Sequence, residues 1–417
     1  MSATATGTGG KDRSSRTSEG SRHLTNPTSP ALAFAPAGRE HARVSTAYTA
    51  RHLAAHEHEL ARSLRARGRE VWPLRRRDAD LGQAVTVQRA LLPPRSEAAR
   101  WRAAEPIFLP GVLGAVETER RDEIDACLQM FDRLRAEQSE FLDELELRLH
   151  DDDWLRYAGS TVDQDDPREL ERCFVDAEVD GAPVARDLWA KLAWITEDPT
   201  DCSLRIRFSN GLDQLEEWMT TSDFTASWVD RFALHAFPEC EAVLGCAALR
   251  ERLDRLVDRP HRLSERIIYN NAPNGGAAFH HDAEPGQLGV VFTQLEGRTA
   301  WFTLSKRRLA DLLETYGWPD RRAAMAALDD ACDPHLLEVL NRDESFARLL
   351  AAHGALFVLR AGDAVLLPSH GVDDVAWHSV LAIGDRPSLA HSYGIFPRHA
   401  DYDPAGDPWL GPSDSVH

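Results

Sequence analysis

Arg266-Ile267-Ile268-Tyr269, the turn at Gly275-Gly276, the triplet His280-His281-Asp282 and the run Gly289-Val290-Val291-Phe292-Thr293-Gln294-Leu295 set the reading of this chain. β-Branched and aromatic residues lie on either side of a glycine turn and a His-x-Asp triplet, which is the pattern of strands joined by a bend. In extended chain, residues two apart point the same way. The His280 imidazole and the Asp282 carboxylate therefore share a face, and His281, pointing the other way, is read as a spacer. Farther on, Gly362-Asp363 and the apolar run Ala364-Val365-Leu366-Leu367-Pro368 lead to Trp377-His378-Ser379-Val380, and then to Arg386-Pro387-Ser388. Two imidazoles and a carboxylate can hold a transition metal on one face and leave other coordination positions open.

Strand character is also read at Ser203-Leu204-Arg205-Ile206-Arg207-Phe208, before the turn Asn210-Gly211, and at Thr299-Ala300-Trp301-Phe302-Thr303-Leu304. It returns over 355–359, 364–367, 378–383 and 388–396. Short strands separated by turn signals predict a β-barrel or sandwich. Residues 306–353 interrupt it with helical spacing, as in Leu309, Leu312, Leu313 and Tyr316, then Phe346, Leu349 and Leu350. Gly354 is placed to stop the last of these helices. Upstream, Ile124, Leu128, Phe131, Leu134, Phe141, Leu142, Leu145 and Leu149 recur at threes and fours. That spacing predicts an amphipathic helix over 117–149. Helical pattern is also read at 46–72, 184–195, 211–218 and 241–257.

The expected class is α+β. Residues 1–42, rich in Ser, Thr, Gly, Ala and Pro, are expected to be disordered. Residues 43–200 are expected to be mainly helical, 201–400 to form the β-barrel with its helical insertion at 306–353, and 401–417 to be a tail.

Composition narrows the partners. The chain has 417 residues and a formal net charge of -19, which argues against general nucleic-acid binding. Its positive charge gathers near the start, at Arg62 to Arg69 and Arg75-Arg76-Arg77, where a solvated helix face is the plainer reading. The six cysteines form no C-x-x-C pair and read as reduced thiols of a cytoplasmic protein. No apolar run is long enough to span a bilayer, so no membrane partner is expected.

His-x-Asp by itself carries little weight, and it recurs at His150-x-Asp152 and His399-x-Asp401. Only the triplet at 280 lies between strands and after a glycine turn. His378 has two competitors, His370 in a loop after Pro368 and His391 in the strand after Arg386. Neither G-x-S-x-G nor H-E-x-x-H occurs, so hydrolase chemistry has no support. His56-Glu57-His58-Glu59 sits in a charged helical pattern and reads as surface.

Taken together, Tyr269, Gly275-Gly276, His280-x-Asp282, Gly362-Asp363, His378 and Arg386-x-Ser388 resemble the 2-oxoglutarate/iron(II) oxygenase superfamily, most closely its prolyl-hydroxylase-like branch. The resemblance spans 203–397. It implies a double-stranded β-helix, a jelly-roll or cupin-like barrel, with His280, Asp282 and His378 as iron ligands. It also implies that Arg386 and Ser388, with Tyr269, hold the 5-carboxylate of 2-oxoglutarate, with dioxygen as the other co-substrate. An arginine suits that role because its planar fork binds a carboxylate through two hydrogen bonds. In this sequence the arginine follows the histidine closely, and the span from Asp282 to His378 is lengthened by the insertion. The JmjC-type branch places a lysine where this chain has Thr299, so that pattern fits less well. By the same resemblance, a carboxylate at Asp282 favours hydroxylation over halogenation. The expected substrate is a small molecule, amino acid or peptide of bacterial specialised metabolism, with a protein substrate as the second choice. The competing reading is a cupin-type metalloenzyme that does not use 2-oxoglutarate, in which Arg386 has no part.

Overall fold

Strands β1 (Val71–Arg76) and β2 (Ala79–Val85) make a hairpin. Six strands, β3 (Ile107–Leu109), β4 (Leu155–Thr161), β5 (Glu169–Val179), β6 (Ala182–Trp194), β7 (Leu204–Asn210) and β8 (His261–Asn271), precede the His-x-Asp segment. Another six follow it: β9 (Gly289–Glu296), β10 (Arg298–Ser305), β11 (Leu356–Arg360), β12 (Ala364–Pro368), β13 (Ala376–Ala382) and β14 (Ser388–Pro397). The helices on the N-terminal side are α1 (Glu97–Arg102), α2 (Val116–Glu119), α3 (Arg121–Arg135), α4 (Phe141–Leu149), α5 (Asp223–Ala236), α6 (Glu241–Leu244) and α7 (Ala247–Leu256). Between β10 and β11 lie α8 (Lys306–Tyr316), α9 (Arg321–Asp329), α10 (Pro334–Arg342) and α11 (Glu344–Ala352). This computed structural model describes residues 62, 66, 70–77, 79–85, 96–149, 154–198, 200–211, 223–282, 286–330 and 333–398. The expected disordered start, the C-terminal tail, His56 to Glu59, the triplets at 150 and 399, and nearly all of 211–218 lie outside them.

The molecule is a mixed α/β protein with large antiparallel sheets. One sheet has nine strands in the order β3-β12-β9-β14-β8-β7-β6-β5-β4, and a second has three in the order β11-β10-β13. Residues 274–280 run along the free edge of β13. The Asn274 N–H donates to the Ala382 carbonyl, Val380 N–H to Ala277, and His280 and His378 exchange both backbone bonds. The two sheets face each other across a small apolar core of Val290, Phe292, Trp301, Val365, Leu367 and Val380. The outer face of the large sheet is covered by α3, α4, α5 and α7, and that of the small sheet by the insertion helices and the hairpin. All seven residues of β13 are buried, as expected of a strand covered on both faces.

The insertion is helical, and its starts are marked in the sequence. Asp320, Asp333 and Asp343 each accept a backbone N–H at the start of α9, α10 and α11. Gly354 follows the last helix at φ +71°.

Four expectations are corrected. Residues 43–200 are not mainly helical, because the described part carries six strands, β1 to β6. The helix expected at 184–195 is β6. Its run from Leu188 to Ala193 is buried on both faces, which hides the period of two and leaves an apolar run that also fits a helix. A boundary at residue 200 is not respected either, since β6 and β7 pair across it from Leu188–Asn210 to Trp194–Leu204. The single helix expected over 117–149 is three. The longest break lies at 136–140, where Glu137 takes φ +53°, a left-handed conformation that ends a helix.

Candidate metal centre

The two glycines of the quoted turn have different reasons to be glycine. At Gly276 the backbone sits at φ +134°, and a Cβ there would meet the Val380 carbonyl oxygen at 2.5 Å. A side chain at Gly275 would collide with Asp201 and Ser203. The turn is held in turn by those residues: the Gly276 N–H donates to Asp201 Oδ2 at 3.1 Å and the Ala272 N–H to Ser203 Oγ at 2.9 Å. Past the turn, the buried Arg76 donates to the Ala277 carbonyl at 3.0 Å and to Ser379 Oγ. The Phe279 N–H donates to Asn341 Oδ1 of α10 at 2.7 Å. The segment carrying His280 is thus fixed by the hairpin, by the loop before β7 and by the insertion.

This brings His280, Asp282 and His378 together, with one ligand atom from each lying within 4.8 Å of the others. His280 Nε2 is 3.3 Å from Asp282 Oδ1, and His378 Nε2 is 3.5 Å from Asp282 Oδ2. His280 Nδ1 lies 2.7 Å from the Ala278 carbonyl, an acceptor only, so that nitrogen carries the proton and Nε2 presents its lone pair. Trp301 stacks on the His378 ring at 5.4 Å between centroids. His281 turns away and meets Trp377 edge-on at 5.1 Å.

Electrostatics suit a cation. Burial opposes ionisation of Asp282, but the neighbouring His378 and His280 rings outweigh it and hold the carboxyl below its usual range. Burial, reinforced by His280, pushes His378 down to about 3, so its imidazole is neutral and its lone pair is free. His280 moves the other way, because Asp282 outweighs the effect of burial. Two imidazole nitrogens and a carboxylate oxygen converging on one point fit a divalent transition metal.

The competing histidines lie elsewhere. His370 Nε2 is 2.7 Å from the Trp101 carbonyl oxygen. His391 is fully buried behind the large sheet, with Nδ1 3.0 Å from Cys240 Sγ.

The triad opens into a cavity of about 620 Å³ with apolar walls from Phe279, Phe292, Trp301 and Leu337. Tyr269, expected at the site, lines it. The expected Arg386 and Ser388 do not. Arg386 is exposed in the turn between β13 and β14. Ser388 is buried and accepts a hydrogen bond from Asn271 Nδ2 at 3.3 Å. The cations that do line the cavity are Arg77, Arg168 and Arg205. Sequence reasoning passed over Arg205. The alternation Leu204-Arg205-Ile206-Arg207-Phe208 marks one face apolar and the other polar, and a polar face is ordinarily wet. Here part of it turns into the cavity. The available signal was that β7 precedes the strand of Tyr269 and carries two arginines on one face.

No family model matches the sequence, and no curated protein matches it. Among solved structures, the chain is similar to a 2OG-Fe(II) oxygenase family oxidoreductase from Burkholderia pseudomallei, at 12% identity over 72% of this chain and 88% of that one, TM-score 0.28. It is similar to the non-heme alpha ketoglutarate dependent epimerase SnoN from nogalamycin biosynthesis, at 16% identity over 77% and 90%, TM-score 0.28. It is also similar to the ribosomal oxygenase YcfD from Escherichia coli, at 14% identity, where 63% of this chain spans 44% of that one, TM-score 0.24.

Proposed function

We propose that this protein is a non-haem iron(II), 2-oxoglutarate-dependent oxygenase on a double-stranded β-helix, acting on a C–H bond of a small molecule, amino acid or peptide. The observation that carries this reading is the convergence of His280, Asp282 and His378 at the mouth of two facing antiparallel sheets. Strand order supports the fold. In the large sheet β12, β9, β14 and β8 are neighbours, and in the small one β11, β10, β13 and the 274–280 edge, so the chain crosses between sheets as it winds.

When bound, iron(II) with 2-oxoglutarate and dioxygen supplies the oxidising power, releasing succinate and carbon dioxide. The protein supplies the rest. His280, Asp282 and His378 would hold the ion, and the Ala278 carbonyl fixes the His280 tautomer. Trp301 sets the plane of His378. Phe279, Phe292 and Leu337 offer an apolar wall that excludes water and suits a substrate presenting C–H bonds.

The test is an anaerobic titration of the apo-protein with iron(II) and then 2-oxoglutarate. A saturable visible charge-transfer band is expected. The position of Arg386, outside the cavity, favours a second reading, a cupin-type metalloenzyme that does not use 2-oxoglutarate. Iron binding without the band would establish that alternative and reject the first.

A further inference from the structure

We propose that the sheet face beside the metal cavity binds an acidic group of the substrate, a carboxylate or a phosphate, through a row of cations formed by Arg172, Lys191 and Arg207. Calling that ligand the substrate rests on the oxygenase reading of the triad; the anion site itself does not.

Strand register brings the row together. Arg172 on β5 is the direct cross-strand partner of Lys191 on β6, and Lys191 is that of Arg207 on β7. Their sequence neighbours Cys173, Ala190, Leu192, Ile206 and Phe208 pack into the core beneath the helices. The three cations therefore leave the sheet on its other face. That is the face on which Arg205, two residues before Arg207, and its cross-strand partner Tyr269 line the cavity of the triad.

Like charges directly opposite one another destabilise a sheet. Here Glu169, fully buried, answers two of them with one carboxylate, its Oε2 lying 2.7 Å from Arg172 and 3.3 Å from Lys191. One negative charge against two leaves this place positive in a chain whose net charge is -19. With side chains only 17% and 10% exposed, Arg172 and Lys191 hold that charge partly out of water, where an incoming anion is attracted more strongly than at an open surface. The row is also fixed in advance. The guanidinium carbons of Arg172 and Arg207 lie 5.1 and 5.9 Å from the centroid of the Trp189 ring, whose Nε1 donates to the Gly211 carbonyl at 2.8 Å. Cations held before the ligand arrives lose little freedom when it binds. Lys191 and Arg172 stand one and two strands beyond β7, about 5 and 10 Å across the sheet from the cavity wall. A group held there belongs to a ligand longer than the five-carbon 2-oxo acid, with its C–H bond at the triad and its charge over β6.

The probes are phenyl phosphate, benzoate and, as an uncharged counterpart, benzyl alcohol. Each is titrated into the ion-free protein, with binding read from the line widths of the probe's own NMR signals. At least one acid is expected to bind about tenfold or more tightly than benzyl alcohol, the worth of one charge-assisted hydrogen bond, and the tighter acid identifies the group. Lys191→Met should erase most of that preference, Lys191→Arg should keep it, and Arg172→Met should lower it several-fold, with circular dichroism showing each variant folded. Saturating iron(II) and 2-oxoglutarate, added without oxygen, should leave the probe bound. The proposal is overturned if neither acid outbinds the alcohol, if Lys191→Met and Arg172→Met both keep the preference, or if 2-oxoglutarate expels the probe. If the preference holds but iron(II) and 2-oxoglutarate give no charge-transfer band, the oxygenase reading fails and the anion site stands.

Discussion

At the residue scale, each histidine of the site takes its part from its surroundings. Because His280 donates through Nδ1 and His378 stays neutral, replacing either with alanine removes one of the three converging ligand atoms. His280→Ala and His378→Ala should each abolish stoichiometric iron(II) binding by equilibrium dialysis, while retained binding would reject the ligand assignment. His391 illustrates a histidine with another task. It lies fully buried between Cys240 and Glu239, with Nε2 3.6 Å from Glu239 Oε1. Burial alone would lower its pKa, but Cys240 and then Glu239 push it up to about 9 from 6.5. A group that binds its proton more tightly when folded adds stability that is complete below the unfolded value and lost as pH rises through the folded one. Stability should therefore decline between about pH 6.5 and pH 9, and His391→Gln should flatten that decline in denaturant midpoints taken across the window. An unchanged slope would mean that other groups carry it. The triad was legible in the sequence because strand signals on both sides of His280 and before His378 fixed which way the side chains point. Arg205 was not, because its strand alternates in the manner of a half-wet one, and which half is wet depends on distant chain.

At the element scale, the segment 274–282 depends on parts of the chain far away in sequence. Asn341 of α10 caps the Phe279 N–H, and Leu337, one turn earlier, lines the cavity. Asn341→Ala would leave that N–H unpaired in a buried place, a cost of about 1–3 kcal/mol. The expected result is a lower denaturant midpoint with weaker iron(II) binding. Weaker binding is the informative half, since a merely local packing loss would leave it unchanged. The insertion was readable from its spacing of threes and fours, and its capping aspartates agree. The strands of the N-terminal part were not. The buried face of β5 alternates through Cys173, Val175 and Ala177 on a strand rich in charge, and β6 is buried on both faces from Leu188 to Ala193, which hides its period of two.

At the scale of the molecule, the large sheet runs unbroken from β3 to β4, so the part before residue 200 and the part after it share one hydrogen-bonded framework. No described helix is long and apolar enough to cross a membrane. Because the metal ligands come from two segments brought side by side only in the folded state, an ion that binds there stabilises the fold by mass action. At an iron(II) concentration 100 times its dissociation constant the gain is about 2.7 kcal/mol. Anaerobic melting curves should show Tm rising with iron(II) and returning to the apo value with a chelator. A Tm indifferent to the ion would argue against a site formed on folding.

The edge segment that bears His280 is clasped by Arg76 from the hairpin, Asn341 from the insertion and Asp201 from a loop, and none of these belongs to the small sheet along whose edge it runs. In the ion-free protein, the first event on gentle warming should be the release of these three clasps, with the sheets still intact. Bound iron(II) ties the segment to β13 through His378, so that local release should move to higher temperature together with the Tm of the whole.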